Sequence, residues 1–267
     1  MRETGAWNIA GVNLHLTEAG AGAPLLLVHG FPFDHTLWEG QFAALARHAH
    51  VLAPDLRGFG RSEAAGETVA MEQYADDLAG LLAARGIQQP VVFCGLSMGG
   101  YIAWQFFRRH RQQTRGLILC DTRAAADAVL TARGRLANAQ RVLAEGLGFL
   151  ATGMLEKLFA ARTLAQQPEL VEATRRVMLA TSPQGAAAAL RGMAARPDAS
   201  AWLPEIDVPT LVICGREDAL TSVDEMRDMA DQLPHARFVE IAEAGHLAPR
   251  EQPQAVNEAI LEFLRGC

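Results

Sequence analysis

The chain has 267 residues, of which 50% are hydrophobic and 20% are charged, and its formal net charge is −6. This length suits one globular domain with a substantial core, and the acidic balance without a basic run argues against a nucleic-acid partner. Residues 1–7 lack the apolar region of a signal peptide, and no apolar segment is long enough to span a bilayer, so we predict a cytoplasmic protein with no membrane partner.

Strand and helix patterns alternate along the first part of the chain. Residues 7–9 and 12–16, joined by Ala10 and Gly11, predict a hairpin. Apolar runs predict buried strands at residues 25–28, 51–53, 91–94 and 117–120. Helical spacing of apolar residues predicts helices at residues 37–47, 71–85 and 101–109. This alternation predicts an α/β fold, with a mostly parallel central sheet covered by helices on both faces.

The alternation stops between residues 123 and 204, which contain no convincing strand. The segment is rich in Ala, Leu, Arg, Met and Gln, which favour helices. Its apolar spacing and its prolines predict helices near residues 132–145, 147–160, 169–180 and 184–194. Strand-like runs resume at residues 211–214 and 238–241. We therefore predict a core domain of residues 1–122 and 205–267, interrupted by a helical insertion of residues 123–204.

Residues 95–99 read Gly-Leu-Ser-Met-Gly and follow a predicted strand directly. This G-x-S-x-G pattern is typical of a tight turn that exposes a serine, and the glycines provide room for the turn. Ser97 in such a turn is a candidate nucleophile. The alternative is that Ser97 only caps the helix that follows, which is a common role for serine.

A nucleophilic serine needs a histidine base, and the histidine needs an acid to orient it. Asp218 and His246 each follow a strand-like run, as Ser97 does. Because the carboxyl ends of parallel strands meet at one edge of a sheet, these three residues are expected to lie close together. Asp121 also follows a predicted strand and is an alternative acid.

The ordered motifs make the chain similar to the α/β-hydrolase superfamily, in particular to carboxylesterases and 3-oxoadipate enol-lactonases. The motifs that carry the resemblance are residues 25–32 (LLLVHGFP), 54–62 (PDLRGFGRS), 95–99 (GLSMG), 215–218 (GRED) and 245–246 (GH). They cover nearly the whole chain in the order Ser, Asp, His that this superfamily uses. The resemblance implies Ser97 as nucleophile, His246 as general base and Asp218, in preference to Asp121, as the acid.

The resemblance also implies an oxyanion hole and a substrate pocket. The oxyanion hole would be the backbone N–H groups of Phe31 and Met98. The insertion is expected to form a helical cap over the active-site edge. Residues expected to brace neighbouring loops are His29, Asp55 and Arg57. Apolar residues placed by position in the pocket are Phe33, Trp38, Leu220 and Leu247, besides Phe31 and Met98. Arg123, near the start of the insertion, is either solvated or holds an anionic substrate group.

The function predicted from this resemblance is hydrolysis of carboxylic esters with small to medium acyl chains, through an acyl-enzyme. Alternatives with the same residues are an enol-lactone-type lactonase and a cofactor-free haloperoxidase or perhydrolase. A non-enzymatic alternative is a ligand-sensing protein of the same fold. We expect a small-molecule ester or lactone as substrate, with no cofactor and no metal.

Cysteine spacing predicts neither a metal site nor a disulfide framework. Cys94, Cys120 and Cys214 each end a strand-like run, and no C-x-x-C pair gives the spacing of a zinc site. We therefore expect these three to be small buried apolar residues, and Cys267, at the end of the chain, to be a free thiol.

Overall fold

The computed structural model describes residues 2–267, in which eight strands form one sheet. The strands are β1 (Glu3–Ile9), β2 (Val12–Ala19), β3 (Pro24–Val28), β4 (His50–Pro54), β5 (Val91–Leu96), β6 (Thr114–Cys120), β7 (Thr210–Gly215) and β8 (Ala236–Ile241). Their spatial order is β1-β2-β4-β3-β5-β6-β7-β8. The β1–β2 and β2–β4 pairs are antiparallel and the other five are parallel. The mostly parallel α/β sheet is confirmed.

Parallel pairing brings the carboxyl ends of the central strands to one edge. Val28 of β3 pairs with Gly95 of β5, and Leu96 of β5 pairs with Cys120 of β6. Farther along, Gly215 of β7 pairs with Ile241 of β8. The loops that follow these strands carry the residues predicted to react.

Helices cover both faces of the sheet. In the core they are α1 (Glu39–Leu45), α2 (Met71–Ala84), α3 (Met98–Arg109), α9 (Val223–Asp231), α10 (Ala248–Glu251) and α11 (Pro253–Gly266). Side chains alternate along each strand: Leu26 and Val28 enter one hydrophobic cluster, whereas Leu25 and Leu27 enter the other. Burial on both sides explains why these strands read as continuous apolar runs.

Five α-helices lie between β6 and β7. They are α4 (Val129–Glu145), α5 (Gly148–Leu158), α6 (Ala161–Gln166), α7 (Pro168–Ala180) and α8 (Pro183–Ala194). Four match predicted helices, and α4 begins three residues before its prediction. The fifth, α6, has six residues, which is too short to give a helical period in the sequence.

The insertion packs closely on the core. A Cβ on Gly185, in α8, would lie 1.9 Å from the carbonyl oxygen of Gly58, so these two backbones touch. Thr181 Oγ1 donates to the carbonyl oxygen of Pro32 at 2.8 Å. Glu251 accepts hydrogen bonds from the backbone N–H of Ala160 at 2.8 Å and of Gly245 at 2.7 Å. Glu251 therefore joins the insertion to the loop that carries His246.

All four cysteines are free thiols. Cys94, Cys120 and Cys214 are completely buried, and Cys267 is partly exposed. Among residues 2–267, no helix has the length and apolar character needed to cross a bilayer.

Candidate active site

The turn around Ser97 is tightly packed. Ser97 has φ 53° and ψ −111°, a backbone conformation that residues with a side chain rarely adopt. A Cβ on Gly95 would lie 2.3 Å from the carbonyl oxygen of Gly99. A Cβ on Gly99 would in turn lie 2.4 Å from the carbonyl oxygen of Val28. The turn therefore requires glycine at both positions of the G-x-S-x-G pattern.

The Ser97 hydroxyl does not cap the following helix. Ser97 directly precedes α3, but its side chain makes no capping hydrogen bond. Two hydrogen bonds hold its backbone instead. The Ser97 N–H donates to the carbonyl oxygen of Cys120 at 3.0 Å, and the Ser97 carbonyl oxygen accepts from Thr122 Oγ1 at 2.7 Å. The backbone is held while the hydroxyl is left available for chemistry.

Ser97 lies between the first residue of α3 and the loop that leads to Phe31. Met98 follows it as the first residue of α3, and Gly30 lies so close that its added Cβ would be 3.3 Å from the Ser97 Cβ. Gly30 leads into Phe31. Within residues 2–267 neither the Phe31 nor the Met98 backbone N–H donates a hydrogen bond. Unpaired amides in this position suit a developing negative charge on oxygen.

His29 connects the loop of Phe31 to the next loop. Its Nδ1 lies 2.9 Å from the carbonyl oxygen of Gly30, and its Nε2 accepts from the Leu56 N–H at 3.0 Å. Complete burial lowers the pKa of His29 below its ordinary value. A neutral ring that donates from Nδ1 and accepts at Nε2 satisfies both contacts. His29 thus braces the loop, as predicted.

His246 and Asp218 form a buried pair. His246 Nδ1 lies 2.8 Å from Asp218 Oδ2, and both residues are less than a tenth exposed. Asp218 also accepts from the Leu220 N–H at 2.7 Å and from Thr221. Burial works to raise the pKa of Asp218, but the His246 charge and these hydrogen bonds outweigh it, so the pKa is lowered. Asp218 is therefore a carboxylate that can orient His246 and stabilise its protonated form.

Asp121 lies beside Asp218 but makes no hydrogen bond to His246. Its Oδ1 accepts from the Gly215 N–H at 2.8 Å, and its buried Oδ2 has no hydrogen-bond partner within residues 2–267. Complete burial, followed by the charge of Asp218, raises the pKa of Asp121 well above its ordinary value. The pKa values of these two neighbouring carboxyl groups are therefore shifted in opposite directions.

Two clusters combine carboxylates with histidine or cysteine: His15, His35 and Asp55, and Asp121, Cys214 and Asp218. In the first, His35 and Arg61 donate to the two Asp55 oxygens. In the second, both Asp218 oxygens already accept hydrogen bonds from protein donors. Protein donors therefore already bind both oxygens of Asp55 and both oxygens of Asp218.

Ser97 and His246 open onto one cavity of about 520 Å³. Its core-side wall includes Phe31, Ser97, Tyr101, Leu220, Thr221 and His246. Its insertion-side wall includes Thr131, Arg135, Asn138, Phe149, Met154 and Lys157. Helices α4 and α5 therefore supply much of the cavity wall.

Of the pocket residues predicted from sequence, Phe31 and Leu220 line this cavity and the others do not. Trp38 is completely buried in a hydrophobic cluster. Phe33 and Leu247 belong to the same cluster and border a narrow crevice with Thr174 of α7. Met98 is buried beneath the cavity and offers only its backbone. Apolar residues close to a strand end fill the core here, because the insertion provides the cavity surface instead.

The insertion residues of the wall were not predicted, apart from Arg123 at its start. Arg135 and Lys157 line the cavity with Arg123. The apolar spacing of α4 and α5 predicted helices but not which face would meet the cavity. Thr131, Arg135 and Asn138 are four and three residues apart, which places them on one face of α4. This polar spacing is the sequence pattern that could have predicted the wall.

A family model described as the alpha/beta hydrolase fold matches residues 23–253 of the chain. The chain belongs to the α/β-hydrolase fold family. This hydrolase is 30% identical over 233 residues to 3-oxoadipate enol-lactonase 1 of Acinetobacter baylyi, covering 87% of this chain and 85% of that protein.

Two solved structures resemble this α/β-hydrolase closely. A thermophilic esterase from Thermogutta terrifontis with malate bound is 44% identical, with a TM-score of 0.95 over 100% of this chain and 98% of that one. The enol-lactonase from Burkholderia xenovorans LB400 is 30% identical, with a TM-score of 0.91 over 98% and 100% of the two chains. The relatives of this chain thus include both esterases and enol-lactonases.

In this α/β-hydrolase, Asp55 and Arg57 hold loops together through separate partners. Asp55 contacts His35 Nδ1 at 2.7 Å and accepts from the Arg61 N–H at 2.9 Å. Arg57 makes two hydrogen bonds to Asp77 of α2, at 2.7 and 2.6 Å. Both are bracing residues, as predicted.

Proposed function

We propose that this α/β-hydrolase cleaves carboxylic esters of small to medium acyl chains with Ser97, His246 and Asp218 as a catalytic triad. The observation that carries the proposal is the buried 2.8 Å contact between His246 and Asp218, beside a strained serine that lines the same cavity as His246. The esterase from T. terrifontis, 44% identical over the whole chain, supports the same activity.

In the first half-reaction, His246 takes the proton of the Ser97 hydroxyl as the serine oxygen attacks the ester carbonyl. The carbonyl oxygen becomes an oxyanion, which the N–H groups of Phe31 and Met98 stabilise. His246 then returns the proton to the alcohol oxygen, the C–O bond breaks, and an acyl group remains on Ser97.

In the second half-reaction, a water molecule gives a proton to His246 and attacks the acyl carbonyl. Collapse of the second oxyanion breaks the bond between the acyl carbon and the Ser97 oxygen, His246 returns its proton to that oxygen, and the acid is released. Asp218 keeps His246 in the tautomer that both steps need. The chemistry uses only groups of this chain and water.

Lactone hydrolysis is a second candidate function. It requires the same steps on a cyclic ester, and two relatives at 30% identity are named enol-lactonases. Residues 123–204 would act as a cap that shapes the substrate site, because they supply much of the cavity wall. A cytoplasmic location remains our prediction.

The test is hydrolysis of p-nitrophenyl esters from acetate to decanoate, alongside simple lactones, by the parent and by Ser97→Ala. We expect ester turnover that falls at least about 10⁴-fold in the variant, with an unchanged circular dichroism spectrum and melting temperature. Variant activity within about tenfold of the parent would contradict the mechanism. Turnover of lactones alone would favour the second candidate, and peroxide-dependent acyl transfer would indicate a perhydrolase.

A further inference from the structure

Thr221 is a second hydrogen-bond donor to the Asp218 oxygen that faces His246. The Thr221 hydroxyl donates to Asp218 Oδ2, and His246 Nδ1 lies 2.8 Å from the same oxygen. An ionised carboxylate only accepts hydrogen bonds, so the hydroxyl is the donor of this pair. Thr221 and His246 therefore share one oxygen of the proposed acid.

Protein donors fill both oxygens of Asp218. Its Oδ1 accepts from the backbone N–H groups of Leu220 at 2.7 Å and of Thr221 at 3.1 Å. Two bonds at each oxygen account for the roughly four acceptor sites of a carboxylate. Thr221 is 2% exposed, and within residues 2–267 its hydroxyl donates to no other group. Asp218 is therefore the single acceptor for this hydroxyl in that range.

The Thr221 hydroxyl and the His246 ring compete for the negative charge of Asp218. A hydrogen bond donated to a carboxylate stabilises its ionised form. Burial works to raise the pKa of Asp218, but the charge and hydrogen bond of His246 lower it, and the hydrogen bond of Thr221 lowers it further. Because Thr221 takes part of the carboxylate charge, less of it stabilises a proton on His246.

We propose that Thr221 is a positioning residue of the triad, whose hydroxyl orients the Asp218 carboxylate and limits how strongly this carboxylate holds a proton on His246. A stronger hold would keep His246 protonated at higher pH, and a protonated ring cannot accept the proton of Ser97. The proposal rests on the proposed ester hydrolysis and adds a fourth side chain to its machinery.

Other titratable groups surround the pair of Asp218 and His246. Asp121, after β6, and Cys214, in β7, have side-chain atoms within 4.8 Å of Asp218. Glu251 accepts at 2.7 Å from the backbone N–H of the residue before His246. The cations that line the cavity with His246 are Arg123, Arg135 and Lys157. All of these groups are retained when Thr221 is replaced, so a comparison of variants isolates the hydroxyl.

The pH dependence of kcat/KM for a p-nitrophenyl ester tests the hydroxyl. Thr221→Val removes it and keeps the shape of the side chain, so we expect the midpoint of the acid limb to rise by at least about 0.5 pH unit. Thr221→Ser keeps a hydroxyl and should stay within about 0.2 pH unit of the parent. The matched control is Thr131→Val, because Thr131 lines the same cavity and makes no hydrogen bond to Asp218.

A purely structural role of Thr221 would lower kcat without moving this midpoint. An unmoved midpoint in Thr221→Val, or an equal rise in Thr221→Ser or Thr131→Val, would therefore overturn the proposal. If circular dichroism shows that Thr221→Val does not fold, Thr221→Ala takes its place with the same expected rise.

Proton NMR of the parent tests the shared oxygen without a substitution. We expect a nuclear Overhauser effect between the Thr221 hydroxyl proton and the His246 Nδ1 proton, because both point at Asp218 Oδ2. Failure to observe this effect would overturn the proposal.

If the parent hydrolyses no ester or lactone, the proposed function is wrong, and NMR titration of the His246 ring in the same variants decides the role of Thr221 separately. A midpoint that rises in Thr221→Val but not in Thr221→Ser would support that role, and equal midpoints would overturn it.

Discussion

The pKa values of two neighbouring aspartates at the strand edge, Asp121 and Asp218, are shifted in opposite directions because their surroundings differ. Asp218 accepts hydrogen bonds at both oxygens, whereas Asp121 has one bonded and one unpartnered oxygen. Their closest oxygen atoms and the Cys214 sulfur lie within 4.8 Å of one another, so two negative charges would repel. Burial raises the pKa of Asp121, whereas at Asp218 the His246 charge and the hydrogen bonds outweigh burial and lower the pKa.

Replacing the two aspartates by asparagine should therefore have unequal effects. We expect Asp218→Asn to lower kcat about 10⁴-fold, because His246 loses the acceptor that fixes its tautomer. Asp121→Asn should lower kcat less than about tenfold, since Asp121 bonds the Gly215 N–H and makes no hydrogen bond to His246. Steady-state kinetics on one ester measures both variants. A larger loss in Asp121→Asn would assign the acid to Asp121.

Asp55 should make stability depend on pH. Burial works to raise the pKa of Asp55, but contacts with His15 and His35 outweigh it and hold the pKa well below its ordinary value. A depressed carboxyl pKa contributes stability above the unfolded value of about 3.9, and this contribution is lost as the pH falls below it. Burial works to lower the pKa of His35, but the interaction with Asp55 outweighs it and raises the pKa. The stability that His35 contributes is therefore lost as the pH rises through this raised pKa.

We expect the free energy of unfolding of the parent to decrease between about pH 5 and pH 3, and this slope to be shallower in Asp55→Asn. Urea unfolding at each pH measures the slope. Glu156→Gln is the control, because Glu156 is exposed and should leave the slope unchanged. Equal slopes in the parent and Asp55→Asn would contradict the role of Asp55.

At the scale of elements, the strand–turn–helix unit β5–α3 depends on backbone contact. Gly99 lies against the Val28 carbonyl of β3, and an added Cβ there would meet backbone, which cannot move aside as a flexible side chain can. We expect Gly99→Ala to cost about 3 kcal/mol of unfolding free energy.

Gly148→Ala is the matched control for this substitution. Gly148 is exposed at the start of α5, and an added Cβ would meet nothing within 4 Å. Its effect should stay within about 1 kcal/mol. Chemical denaturation of both variants provides the comparison, and equal stabilities would argue against the packing account of the turn.

The strands and helices of the core could be predicted from the sequence because each has a strong local pattern. Buried parallel strands give continuous apolar runs, and G-x-S-x-G marks a turn whose geometry only small residues allow. The cavity wall had no such signal. Trp38 and Leu247 looked like pocket residues by position but are core, whereas Arg135 and Lys157 reach the cavity through the packing of α4 and α5, which local spacing does not encode.

At the scale of the whole molecule, we expect the insertion and the core to unfold together, because close contacts join them. The backbone of α8 touches the loop of Gly58, and Glu251 links the α5–α6 junction to the loop of His246. These contacts make the position of the base depend on the insertion.

We expect the parent to show one calorimetric transition. Gly185→Ala should lower the melting temperature by about 5 °C or more, because the added methyl group separates α8 from the core. Gly148→Ala again serves as the control. Two resolved transitions in the parent would show that insertion and core are independent units.

Because of where the four thiols lie, chemical labelling can follow the opening of the folded protein. Cys94, Cys120 and Cys214 lie on the neighbouring strands β5, β6 and β7 with no exposed surface, whereas Cys267 at the chain end is partly exposed. An alkylating reagent should therefore modify one site quickly and the other three only when the sheet comes apart. Intact-mass spectrometry over time would then measure the rate at which the folded protein opens, without any introduced probe.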